Sequence, residues 1–306
     1  MKAVERVTVS DAASLVRRVE EVDAPLVIEG AVAHWPAVSR WTPGYLSELL
    51  GDVEVACKIS SSNAHPDFRR STPAEMFARE KMRFGALVER MTTGPREARA
   101  RRLFTGDEQF LVQRRAGVER IDPALAPLLA DLGSLAFVPD ARLYTIWAWF
   151  SGPGVRTWLH YDNNGCHNAN AQLRGNKVAM LFAPSELPRL YPFPHGGANP
   201  AHNCCAVDVD APDLARFPGY AGATWLEAEL HAGDVLFIPA FWLHAFRHDG
   251  DFNANVNFWW KPERPRQSPV SERQALLDLL ASSTADPAAR AAAQRALSRS
   301  SSDPAQ

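Results

Sequence analysis

His160 and Asp162 stand two residues apart in the segment TWLHYD, residues 157–162. Side chains of a β-strand alternate, so both project from one face, which is how near neighbours in a chain come to share a metal ion. A third ligand is available from His244, at the end of GDVLFIPAFWLH, where Gly233-Asp234 marks a turn and VLFIP a buried strand leading to an aromatic-flanked histidine. Two imidazoles and one carboxylate form the facial set typical of mononuclear non-haem Fe(II), leaving open positions opposite for a co-substrate and dioxygen. Structural zinc would instead take a closed set of four ligands, often thiolates. The four cysteines, Cys57, Cys166, Cys204 and Cys205, show no CxxC spacing and are expected to be reduced thiols. His167 and His202 lie near three of them, but at irregular spacing, so a second metal site there is the weaker reading. An H-x-D pair by itself is weak support for a metal site, and its surroundings must decide.

The elements that position these residues change character along the chain. From about residue 140, short apolar runs separated by Gly, Pro and Asn (ARLYTIWAWF, VRTWLHYD, NANAQLRG, KVAMLFAP, DVLFIPAF, WLHAFRH and FNANVNFWW) predict a barrel, sandwich or jelly roll over 140–262 rather than alternating βαβ units. Residues 1–139 read as an α/β extension packing on it: a helix over 10–22, a strand over 25–31, a helix over 41–51 and helical pieces within 72–93. Segment 263–299 is alanine-rich and helical, and 300–306 is expected to be a disordered tail.

A chain of 306 residues with 46% hydrophobic content can bury a substantial core. With 33 basic against 35 acidic residues, net charge gives no reason to expect nucleic acid or an acidic membrane as the main partner. No apolar run reaches the length of a membrane span, and the mixed charges of MKAVERVTVSDAAS do not form a signal peptide, so a cytoplasmic protein is expected. Trp147, Trp149, Trp158, Trp242, Trp259 and Trp260 read as barrel core and pocket wall rather than as a stacking platform for bases. His34, His65, His195, His231 and His248 are taken as structural or surface residues.

The run HYDNNGCHNANAQLRGNKVAMLFAP, followed by LYPFP, GDVLFIPAFWLH and NVNFWW, resembles the cupin-like JmjC hydroxylases, nearest the asparaginyl hydroxylase that acts on hypoxia-inducible factor. The likeness covers about 140–262 and extends more faintly, through APLVIEGAVAHWPAVSRWTPGYLSELLGD, to about residue 24. It implies a double-stranded β-helix whose iron ligands match His160, Asp162 and His244, with 2-oxoglutarate and O2 as co-substrates. Thr157 matches the family hydroxyl that helps bind 2-oxoglutarate, Lys177 the lysine that pairs with its distal carboxylate, and Asn168 and Asn257 two asparagines near it. A buried ammonium facing a dicarboxylate would form a charge-assisted hydrogen bond. Thr157 lies an odd number of residues from His160, so it joins the same face only if the strand bends.

Two departures stand out. The loop at 163–167 is longer by two residues than in the asparaginyl hydroxylase, and Phe110 stands where that enzyme uses a tyrosine toward 2-oxoglutarate, a loss for which Tyr144 is the candidate replacement. Trp259, two residues after Asn257 and so on its face, is the best candidate for substrate contact. The resemblance implies hydroxylation of an unactivated C–H bond in a peptide or protein side chain, a ribosomally made peptide included, with 2-oxoglutarate decarboxylated to succinate. A small-molecule or tRNA-base oxygenase, and a cupin-like metal-binding protein without oxygenase activity, are the competing readings. Leu276, Leu277, Leu279 and Leu280 form a strip too apolar to be exposed, and the relatives' habit of pairing through C-terminal helices points to a homodimer.

Overall fold

The computed structural model of the chain describes all residues except 1, 9–11, 61, 69–77, 101, 105–109, 116, 195–200, 271–276, 278–279, 282–286 and 301–306. Fifteen strands are hydrogen-bonded into one continuous system. The early strands are β1 (Lys2–Ala3), β2 (Glu5–Thr8), β3 (Leu26–Glu29), β4 (Glu54–Ile59), β5 (Ala64–His65), β6 (Ala78–Arg83), β7 (Arg102–Phe104), β8 (Val112–Arg115) and β9 (Val118–Ile121). The barrel proper adds β10 (Leu143–Ser151), β11 (Arg156–His160), β12 (His167–Phe182), β13 (Leu226–Leu230), β14 (Val235–Ile238) and β15 (Leu243–Trp260).

Two long strands make this system a double-stranded β-helix. β12 and β15 run antiparallel along their whole length and bend together, so that each belongs to two layers. In one layer the first half of β12 pairs with β14 and with the last part of β15, which in turn pairs with β10. In the other, the second half of β12 pairs with β13, and the first part of β15 pairs with β11. The register shifts around Arg174, and Gly175 stands at the bend with φ 72°.

A Cβ on Gly175 would lie 2.4 Å from Asn253 Oδ1 and 2.8 Å from the Phe252 carbonyl. Gly175→Ala is therefore expected to cost about 2–4 kcal/mol, from the disfavoured φ and the clash together. Gly117, at φ 78° with open space around it, supplies the control, and its alanine variant should cost only about 1 kcal/mol. Equal urea midpoints for the two variants would show that the bend tolerates a side chain.

Period-two alternation sorts the layer that carries β10, β12 and β15. Ala169, Ala171, Leu173, Ile146, Ala148, Phe150, Ala254, Val256, Phe258 and Trp260 face outward and join a core with Trp41, Phe84, Leu46 and Leu26 from the N-terminal elements. Residues at the alternate positions, among them Asn168, Asn170, Asn255, Asn257, Trp147, Trp149 and Trp259, face the cavity inside the barrel.

The segment 1–139, expected to pack on the barrel, is joined to it by backbone hydrogen bonds: β3 extends the sheet beyond β14, and β7, β4 and β6 extend it beyond β10. The helices expected near 10–22 and 41–51 span Ala12–Glu21 and Pro43–Leu50, the latter capped by the Thr42 side chain. Of the helical pieces expected within 72–93, one is present as the helix Phe84–Thr92, while residues 78–83 form strand β6 paired with β4. AREKMR suits a helix locally, but an edge strand with one open side also takes charged residues, and the pairing decides.

No helix among the described residues is long and apolar enough to cross a membrane. None of the four cysteines is in a disulfide, and all are buried. Leu276 and Leu279 of the apolar C-terminal strip, and the tail from 301, lie outside the described residues; Leu277 is 43% exposed.

Candidate metal centre

His160 closes β11 directly opposite His244, which opens β15 one residue in, and the two imidazole rings lie 4.4 Å apart. Each ring is fixed by its own strand: Nδ1 of His160 lies 2.7 Å from the Trp158 carbonyl, and Nδ1 of His244 lies 3.0 Å from that of Trp242. A carbonyl only accepts, so each Nδ1 carries the proton and each Nε2 presents a lone pair. Phe241, just ahead, holds φ 67°, a costly conformation for a non-glycine residue in the turn that delivers His244.

Asp162 follows β11 by two residues, and its Oδ2 accepts from Asn168 Nδ2 at 2.9 Å and from Trp259 Nε1 at 2.8 Å. Both bonds fall on one oxygen, leaving the other for a cation. One ligand atom from each of His160, Asp162 and His244 falls within 4.8 Å of the others, the only such group among the described residues.

The protonation states suit metal binding. Burial pushes the Asp162 carboxyl up, but His244, His160 and the two hydrogen bonds outweigh it and hold it below its ordinary value. Burial, then repulsion from His160, lowers His244 to about 4, so it is neutral near pH 7.

The strand parity problem of Thr157 is resolved by a register shift. Thr157 pairs with Phe246 while His160 pairs with His244, so a bulge between them turns both side chains to the cavity. Thr157 Oγ1 accepts from the Phe246 backbone N–H at 2.9 Å, which leaves its own proton to donate.

Lys177 is 1% exposed, gives one hydrogen bond to Asn170 Oδ1 at 2.6 Å, and lies over the Phe246 ring. Burial lowers its pKa well below the ordinary lysine value. No carboxylate among the described residues pairs with it. An ammonium has three donors, and burying one without a counter-charge is costly, so the pocket around Lys177 is built for an anion supplied from outside.

The cavity, of about 620 Å³, is lined by the His160–Asp162–His244 cluster and by Lys177. A directed run of amides lines it: Asn255 Nδ2 donates to Asn257 Oδ1, Asn257 Nδ2 to Asn168 Oδ1, and Asn168 Nδ2 to Asp162. Asn168 and Asn257, expected beside the co-substrate, thus line the cavity and also brace the carboxylate. Trp259 likewise lines the wall, with its indole N–H committed to Asp162.

Tyr144 lines the cavity with the Lys261 ammonium over its ring, whereas Phe110 lies against the Arg120 guanidinium, away from the lining. In the loop at 163–167, Asn163 and Asn164 line the cavity, and the Asn164 carbonyl accepts from Lys261.

Sequence reasoning missed Asn170, Asn255, Ser151 and His248. The first two were findable, since they share the two-residue period of Asn168 and Asn257. His248, taken as structural or surface, is buried, faces Lys177 across the β12–β15 pair and lines the cavity. His167 serves the fold: its Nδ1 accepts from the Ala240 N–H.

Burial is the largest cause lowering His167 to about 4, with Glu20 opposing it, and burial followed by Lys177 lowers His248 to about 3, against an ordinary 6.5. In both cases the unfolded chain binds the extra proton first. Their stabilisation is full above about pH 6.5 and is lost as pH falls toward 4, at about 1.4 kcal/mol per pH unit for each histidine. Urea midpoints should fall between pH 7 and pH 5; unchanged midpoints would contradict this.

The folding and the site define a cupin-type β-helix protein with two histidines and one carboxylate gathered at one mouth and a solitary buried lysine inside. The family model for the cupin-like domain matches residues 12–265, and the chain belongs to that family, the JmjC-type 2-oxoglutarate-dependent oxygenases. It is similar to tRNA wybutosine-synthesizing protein 5 of Homo sapiens, 32% identical over 78% of this chain and 71% of that protein. It is also similar to lysine-specific demethylase 8 of Xenopus tropicalis (28% identical, 77% of this chain) and lysine-specific demethylase JMJ31 of Arabidopsis thaliana (29%, 82%). The chain spans about half the length of those two demethylases, 48% of each.

Proposed function

We propose that the protein is an Fe(II)- and 2-oxoglutarate-dependent hydroxylase acting on an unactivated C–H bond of a peptide or protein side chain. One observation carries the reading: a fully buried lysine with no carboxylate partner among the described residues lines the same cavity as the His160–Asp162–His244 cluster. The two Nε2 atoms and one Asp162 oxygen would hold the metal, Asn168 and Trp259 keeping the carboxylate in place. Lys177 and the Thr157 hydroxyl would take the distal carboxylate of 2-oxoglutarate.

When bound, the metal and co-substrate supply the oxidation, in which substrate, 2-oxoglutarate and O2 become hydroxylated substrate, succinate and CO2. Trp147, Trp149 and Trp259 line the cavity and would help keep water from it once substrate is bound. This chemistry asks no side chain to act as general acid or base.

The lysine-specific demethylases among the relatives support a protein side chain as substrate. The wybutosine-synthesizing relative, with the half-buried Trp147 and Trp149 at the cavity, favours a second reading in which a planar tRNA base is the substrate. Mass spectrometry of candidate peptides and of tRNA, run alongside succinate release, separates these. Gain of one oxygen on a peptide supports the proposal, gain on tRNA supports the second reading, and no 2-oxoglutarate use with any substrate supports a metal-binding protein without oxygenase activity.

The homodimer belongs to the proposal as well, and a monomeric mass by light scattering at micromolar concentration would remove it. Four cysteines outside disulfides support a cytoplasmic location.

A further inference from the structure

The geometry points to His248, positioned by Ser151, as a specificity-determining donor to the distal carboxylate of a short 2-oxo dicarboxylate. This inference rests on the proposed co-substrate site and deepens it.

Lys177 and His248 are direct cross-strand partners, so their side chains leave the sheet on the same face, the one that also carries Phe246 and His244. Both line the cavity, and both are buried, at 1% and 6% exposure. Ser151, at the end of β10, brings its Oγ to 2.7 Å from His248 Nδ1.

A buried hydroxyl needs an acceptor for its proton, and His248 Nδ1 is the one Ser151 has among the described residues. Ser151 therefore donates to Nδ1, and the imidazole proton sits on Nε2. No protein acceptor among the described residues takes that N–H. Burial and the neighbouring ammonium keep the ring neutral, so it adds a donor beside Lys177 without adding a second positive charge.

Three donors thus line the same cavity: the Lys177 ammonium, the Thr157 hydroxyl and the His248 Nε2–H. A carboxylate, with two oxygens and about four lone-pair sites, is the group that satisfies all three. A 2-oxo acid lacking the distal carboxylate gains nothing from them. His248 then helps decide which oxo acid the cavity accepts, while touching neither the metal nor the substrate bond to be oxidised.

The test is anaerobic titration of the full chain, loaded with Mn(II) in place of iron, with 2-oxoglutarate and separately with 2-oxobutyrate, followed by tryptophan fluorescence and calorimetry. His248→Ala should weaken 2-oxoglutarate binding about 10-fold, the scale of one lost hydrogen bond to a charged group, and leave 2-oxobutyrate binding unchanged. His248→Gln, whose amide N–H can stand near Nε2, should recover most of the loss. Ser151→Ala, which frees the tautomer, should fall between.

Mn(II) affinity and melting temperature control for the fold. If His248→Ala does not fold, His248→Gln and Ser151→Ala decide, since the inference requires Ser151→Ala to weaken the dicarboxylate selectively. Wild-type preference for the dicarboxylate that survives in folded His248→Ala, or equal loss of both oxo acids, would overturn the role given to His248 and leave the co-substrate reading intact. Wild-type protein that binds the two oxo acids equally, with Lys177→Ala no different, would overturn that reading and this inference with it.

Discussion

Asp162→Ala is expected to bind Fe(II) at least about 100-fold more weakly than the wild type and to consume no 2-oxoglutarate under any substrate, because one of three ligands and the only anionic one is gone. The loss goes beyond one bond. With the carboxylate removed, Asn168 Nδ2 and Trp259 Nε1 lose their common acceptor, and the amide run from Asn255 through Asn257 loses the group on which it ends. Trp259→Phe keeps the ring and deletes a single donor to Asp162, so it should weaken metal binding by about 10-fold, the usual reach of a partner that orients a ligand. Anaerobic titration, following the weak visible absorption of Fe(II) with 2-oxoglutarate, measures both. Retention of that absorption in folded Asp162→Ala would show that the metal sits elsewhere.

Lys177→Met separates stability from function. In the ligand-free protein the ammonium has one hydrogen-bond acceptor and no counter-charge among the described residues, so a thioether of similar length should raise stability, by about 1–3 kcal/mol. The same change removes the cation expected to meet the distal carboxylate, and affinity for 2-oxoglutarate should fall by about 100-fold or more. Added 2-oxoglutarate should raise the melting temperature of metal-loaded wild type and leave that of Lys177→Met unmoved. A variant that is less stable and still binds the dicarboxylate would mean that Lys177 is a structural residue and that the anion site lies elsewhere.

Much of this site was legible along the chain because a strand's two-residue period is a local property. His160 and Asp162 share a face on that ground, NANAQ and NANVN each place asparagines on one side and small or apolar residues on the other, and the apolar run before His244 marks a strand leading to it. Local propensity did not separate helix from strand within 72–93, where AREKMR pairs as a strand with Glu54–Ile59 and the helix spans Phe84–Thr92. It also left Thr157 on the wrong face, since the bulge that turns it is visible only against its partners Phe246 and His244.

What the sequence alone determined is the set of chemical groups and the faces on which they lie: two imidazoles, a carboxylate, a lysine and rows of amides within short strands, where spacing dictates direction. What only the tertiary structure decided is which of those faces meet. Asn257 finds Asn168 across 89 residues of chain, and Ser151 finds His248 across 97. Such contacts follow from register, and register is set jointly by the bend at Gly175, the bulge after Thr157 and the burial of one whole face of the sheet, none of which belongs to any single segment.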